Sequence, residues 1–201
     1  MNGKRLEQIV RCLVLLIMFA GAIAGCGSES QERATAQAEK EQAQQMGEAL
    51  AAVCEGQAVS ETAAYSQVPG IHPVIVLRGQ EGSSWRVDAS YSLAEWQPQG
   101  LQNVELVACL QNNATLIETC PYTLENNQSV SVERYQYLTR VTLREAKTGQ
   151  IIAKTDWSGS EPEKCSAQTT FKEGEPVKKV YGVAVGGREV ESWLQPYVVR
   201  P

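Results

Sequence analysis

Residues 134–157 read RYQYLTRVTLREAKTGQIIAKTDW, and their pattern decides the fold. From Tyr135 to Leu143 the odd positions are Tyr, Tyr, Thr, Val and Leu, while Arg134, Gln136, Arg140, Thr142 and Arg144 take the opposite side. Such alternation marks a β-strand with one buried and one wet face. Lys147-Thr148-Gly149 then forms a three-residue hairpin loop, with Gly149 in the left-handed conformation that other residues resist. In that register Leu143 faces Ala153, Val141 faces Thr155 and Thr139 faces Trp157, and on the wet side Asp156 meets Arg140. Arg134, Arg140 and Arg144 read as a solvated sheet face, with an anion-binding stripe as the alternative.

Upstream, Val74–Leu77 (VIVL) and Val104–Leu110 (VELVACL) are apolar enough for well-buried strands. Trp85–Val87 suits a short strand and Leu93–Trp96 a helical turn. Gln111-Asn112-Asn113-Ala114 reads as a turn into a strand at Thr115–Cys120, so the strands near 104, 115, 134 and 150 form a meander. A further strand is expected at Val177–Val185. Glu189–Leu194 reads as a short helix stopped by Pro196. Met46, Leu50 and Val53 fall at helical spacing, so a short helix docks where the fold begins. The expected class is α+β: a mainly antiparallel sheet of about five to six strands, with N-terminal and C-terminal helices covering one face.

The 201 residues carry 18 Lys+Arg, 23 Asp+Glu, one His and six Cys, for a net charge of −5. The acidic balance argues against a nucleic-acid partner, whose footprint would be basic. Zinc is disfavoured because the cysteines lack paired spacing and His72 stands alone. Only Asp88 and Asp156 represent aspartate, so an Asp-built calcium loop is missing as well. No G-x-S-x-G elbow accompanies His72, which suits a loop or sheet-end role. No catalytic residue, metal or cofactor is assigned, and the expected protein is not an enzyme.

Lys4, Arg5 and Arg11 precede the apolar run Cys12–Ala24, which is too short to span a bilayer and matches an export signal. Ala22-Ile23-Ala24 fits ordinary secretory cleavage. Ile23-Ala24-Gly25-Cys26 resembles the lipobox of bacterial lipoproteins, with Ile23 where Leu is commoner. That resemblance implies removal of residues 1–25 and attachment of diacylglycerol to Cys26, which anchors the chain to a membrane. Cysteine parity favours it: with Cys12 removed and Cys26 lipidated, Cys54, Cys109, Cys120 and Cys165 can all pair. If the strands form a meander, the preferred pairs are Cys120–Cys165 and Cys54–Cys109, with Cys109–Cys120 as the main rival.

The expected organisation is a signal at 1–25, a Gln/Glu/Ala-rich tether with the start of a helix at 26–53, and one globular domain at 54–201. LREAKTGQIIAKT at 143–155, the single downstream Cys165 and the closing EVESWLQPYV also resemble small bacterial envelope lipoproteins, which brings no activity with it. The expected function is binding or scaffolding, as an accessory component of an envelope complex. The alternative is a ligand-binding lipoprotein for a sugar or small metabolite, with Trp85, Tyr91 and Trp96 as ligand-facing aromatics. A carboxylate-dependent hydrolase is the third possibility.

Overall fold

The computed structural model describes residues 27–79, 84–91 and 94–201; the export signal and Cys26 lie outside them. Helix α1 (Gly27–Cys54) crosses the boundary between two compact units, which end and begin at Ala43 and Gln44. In the first unit, the described side chains from Arg33 to Glu41 are exposed, as their polar and small character dictates.

The second unit is built on a sheet of β2 (Val74–Arg78), β3 (Arg86–Val87), β4 (Leu106–Thr123), β5 (Ser129–Glu145), β6 (Ile151–Ser158) and β7 (Val177–Tyr181). The order is β3-β2-β4-β5-β6, and β7 pairs with the first half of β5. Two ladders are parallel, β2 with β4 and β7 with β5; the others are antiparallel. Helix α2 (Gly187–Val198) follows, and a small separate ladder joins β1 (Gly70–Ile71) to β8 (Val199–Arg200). The fold is therefore α+β, with an antiparallel-dominated sheet and two disulfides, Cys54–Cys109 and Cys120–Cys165.

The two helices do not share a face of the sheet. Leu50 and Val53 of α1 pack with Ile75, Leu77, Val107 and Cys109. Val190, Leu194 and Val198 of α2 pack with the alternate residues Val74, Val76, Leu106, Ala108, Leu110, Val141 and Leu143. Continuous apolar runs in β2 and β4 made this necessary, because consecutive side chains point to opposite sides and both sides must leave water.

The hairpin after β5 has the expected register: Leu143 pairs with Ala153, Val141 with Thr155, Thr139 with Trp157 and Arg140 with Asp156. Gly149 has φ +70°, and a Cβ there would come within 2.7 Å of the Gly56 and Gln57 carbonyl oxygens. Conformation and space thus both demand glycine.

The expected turn at 111–114 does not exist. Asn112 and Asn113 pair with Thr139 and Leu138 inside one long ladder, and the Asn112 Oδ1 accepts a hydrogen bond from the Thr139 hydroxyl at 2.9 Å. The turn falls at a second Asn pair instead, where Asn127 has φ 59° and Leu124 N–H donates to the Gln128 carbonyl. Cys109 and Cys120 consequently lie on one strand, about 36 Å apart, and cannot bond to each other.

The wet face also ends before Arg134. That side chain is buried, donates from Nε to the Glu163 carbonyl and from Nη2 to the Pro162 carbonyl, both at 2.7 Å, and pairs with Glu118. The loop stapled by Cys120–Cys165 covers this end of the sheet, so Val130 and Val132 are buried on the even side. On the odd side Tyr135 and Tyr137 are half-buried and stack against Tyr181 of β7.

Pro196 does not stop α2 either. The helix runs on to Val198, which is fully buried and whose carbonyl accepts from the His72 backbone N–H at 2.8 Å. Burial of that last turn outweighs the backbone hydrogen bond that proline cannot donate. His72 itself is buried, with Nδ1 2.7 Å from Glu105 Oε2 and Nε2 3.0 Å from the Val68 carbonyl. It ties the start of β2 to neighbouring segments, a sheet-end role.

Candidate ligand-binding site

Helix α1 ends at Cys54, but the sheet face it covers continues. Across β4, β5 and β6 the register places Gln111, Arg140 and Asp156 on one rung and Cys109, Thr142 and Lys154 on the next. Val107 and Arg144 form the rung after that. Val107 and Cys109 lie beneath the helix, whereas the rungs beyond them are left to polar side chains. The resulting solvent-open cavity measures about 550 Å³ and is lined by this face together with Cys54 and Trp85. That is the size of a small-ligand site.

The wall is rigidly built. Trp85 is 5% exposed and its indole N–H donates to Glu55 Oε1 at 2.7 Å. Gly79 lets the ring approach, since a Cβ there would lie 2.9 Å from it. The Cys54–Cys109 disulfide joins the end of α1 to the floor.

Among the described residues cations dominate the lining: Arg140, Arg144 and Lys154 against the carboxylate of Asp156. Arg140 holds Asp156 with two hydrogen bonds, 2.9 Å from Nε and 3.3 Å from Nη2. This hydrogen bonding, aided by the charges of Arg140 and Lys154, outweighs desolvation and keeps the Asp156 carboxyl below its ordinary range. Arg144 Nη1 donates to the Gly149 carbonyl at 2.7 Å, while its buried Nε has no hydrogen-bond acceptor among the described residues.

Of the three aromatic candidates, only Trp85 reaches this cavity. Tyr91 and Trp96 lie in short 3₁₀ turns (Ala89–Tyr91, Ala94–Trp96) and pack against the core on the α2 side of the sheet. The chain crosses the sheet edge after β3, so neighbours in sequence finish on opposite faces and form no common platform. The Tyr91 hydroxyl instead accepts from Arg78 Nη2 at 3.0 Å, and Arg78 Nε donates to Asp88 at 2.6 Å.

Burial alone would raise the Asp88 carboxyl, but hydrogen bonds from Ser90 and Arg78, with the arginine charge, together hold it below the ordinary carboxylate range. A depressed folded-state pKa stabilises the fold above the unfolded value of about 3.9, and that contribution disappears as pH falls through the folded value. Chemical denaturation between about pH 5 and pH 2 should therefore show wild type losing more stability than Asp88→Asn. Parallel pH profiles for the two proteins would contradict this role.

Two further clusters have structural explanations. Glu118, Cys120 and Cys165 bring three ligand atoms within 4.8 Å, but both sulfurs are spent in the disulfide and offer no thiolate. Glu105 and Glu145 accept hydrogen bonds from the backbone N–H groups of Ser66 and Tyr65 and so fasten the segment before β1.

Comparison with protein-family models, with curated proteins and with solved structures finds no match. The disulfides indicate an extracytoplasmic protein. Among the described residues no helix is long and apolar enough to cross a membrane.

Proposed function

We propose that the protein is a lipid-anchored binding protein of the cell envelope, tethered through diacylglycerol on Cys26 and holding a small polar ligand in the cavity beside α1. The cavity carries this reading: it has ligand size, a fixed wall of Trp85 and the Cys54–Cys109 bridge, and convergent polar side chains. The lipobox-like Ile23-Ala24-Gly25-Cys26 and the disulfides support an anchored, extracytoplasmic setting. The intact mass of protein extracted from host membranes should exceed that of residues 26–201 by an attached lipid, with four thiols closed to alkylation. A lipid-free form beginning at Gly25 would refute the anchor.

A second reading, an accessory component of an envelope complex, draws on the outer edge of β4. Among the described residues β2 covers that edge only as far as Leu110. Beyond it Leu116 and Ile117 are 46% and 40% exposed, and Leu116 pairs with Tyr135 on the side of the tyrosine stack. An open, partly apolar edge suits strand addition by another protein. Cross-linked co-purification from the host distinguishes the readings: one stoichiometric partner, lost on Cys26→Ser, favours the complex.

A further inference from the structure

We propose that the cavity is an anion site, taking a small molecule that carries a carboxylate or phosphate group; this rests on the reading of the cavity as a ligand site. Arg140, Arg144 and Lys154 meet there in a chain whose net charge is −5, so the positive charge is concentrated against the overall balance. They stand on successive rungs of the paired strands β5 and β6, which fixes the spacing of their backbone positions. Among the described residues, Glu55, bonded to the Trp85 indole, and Asp156 are the carboxylates beside them.

The lining selects for an anion over a neutral sugar. A sugar platform needs an exposed aromatic face, but Trp85 is 5% exposed and the other two candidate aromatics lie across the sheet. Asp156 pairs with Arg140 at the cavity wall, so its carboxylate charge repels an incoming anion. Removing Asp156 should therefore strengthen binding, an outcome that a merely structural ion pair would not give.

The test is a titration of the isotopically labelled full-chain protein in detergent micelles with glucose 6-phosphate, inorganic phosphate and, as the neutral counterpart, glucose. The Arg144 Nε–H and Trp85 indole N–H resonances are followed. Saturable shifts are expected with the two anions, weakening as salt rises. Lys154→Gln should lower the affinity about tenfold, the loss of one charge-assisted contact, and Asp156→Asn should raise it several-fold. Lys154 is exposed, so its replacement leaves the fold intact.

Equal affinity in Lys154→Gln would overturn the anion site. Saturation by glucose as readily as by its phosphate would also overturn it, while leaving the cavity as a ligand site. Saturation only when phosphatidylglycerol is added to the micelle would keep the anion and assign it to a lipid headgroup. No saturable response to any of these probes would refute both the anion and the ligand-site reading.

Discussion

Replacing Cys54 and Cys109 together by alanine is expected to lower the free energy of unfolding by about 4 kcal/mol. The bridge spans a sequence separation of 55 residues, and a loop of that size removes much entropy from the unfolded chain. Both cysteines belong to the core beneath α1, with Cys54 5% and Cys109 3% exposed, so their loss also removes packing between helix and sheet. Domains of this size are stable by only about 5–15 kcal/mol, and a fall of roughly 10 °C in Tm should accompany the change. The Cys120–Cys165 pair closes a similar separation of 45, but it fastens a loop rather than the helix. Its removal should expose the amides around Arg134 to hydrogen exchange while leaving those of Leu50 and Val53 protected. Equal loss of protection at both places would contradict this division.

Leu194→Ala should cost about 2–5 kcal/mol, read from urea denaturation. Leu194 is 1% exposed and packs α2 against Leu106, Leu110, Val141 and Leu143. The continuous strands leave no slack for the cavity to collapse, because each of these side chains is fixed by its ladder. The vacancy lies on the α2 face, so ligand affinity on the α1 face should hardly change in molecules that remain folded. A Leu194→Ala protein of unchanged stability would mean that α2 does not close the second core.

The hairpin at 143–155 was legible because three local signals agreed: alternation, a loop of suitable length and a glycine at the left-handed position. The pairing of Arg140 with Asp156 followed from that register alone. By contrast, the two Asn pairs are equivalent in local chemistry, and only the length of β5 decides which of them turns the chain. Asn112 satisfies its side chain across the ladder, so its turn preference is overridden. The chosen disulfides required only that Cys109 and Cys120 lie near opposite ends of β5, which one long strand satisfies as well as a meander.

Arg134, Arg140 and Arg144 share one side of β5 by parity, yet what covers each depends on distant chain. The loop through Pro162 and Glu163 buries Arg134, whereas Arg140 and Arg144 line the cavity. The wall made by Trp85 and Cys54 has no local signature, because it depends on where α1 ends and where the chain crosses the sheet. The open edge of β4 was equally hidden, since the expected turn would have divided that strand.

The most direct test of a ligand-holding cavity is native mass spectrometry of the full-chain protein taken from its host, wild type beside Lys154→Gln. Wild type should retain a non-covalent small-molecule adduct that is depleted in the variant. An adduct retained equally by both, or bare protein in wild type, would contradict the account, and a protein partner found in its place would move the function to the edge of β4.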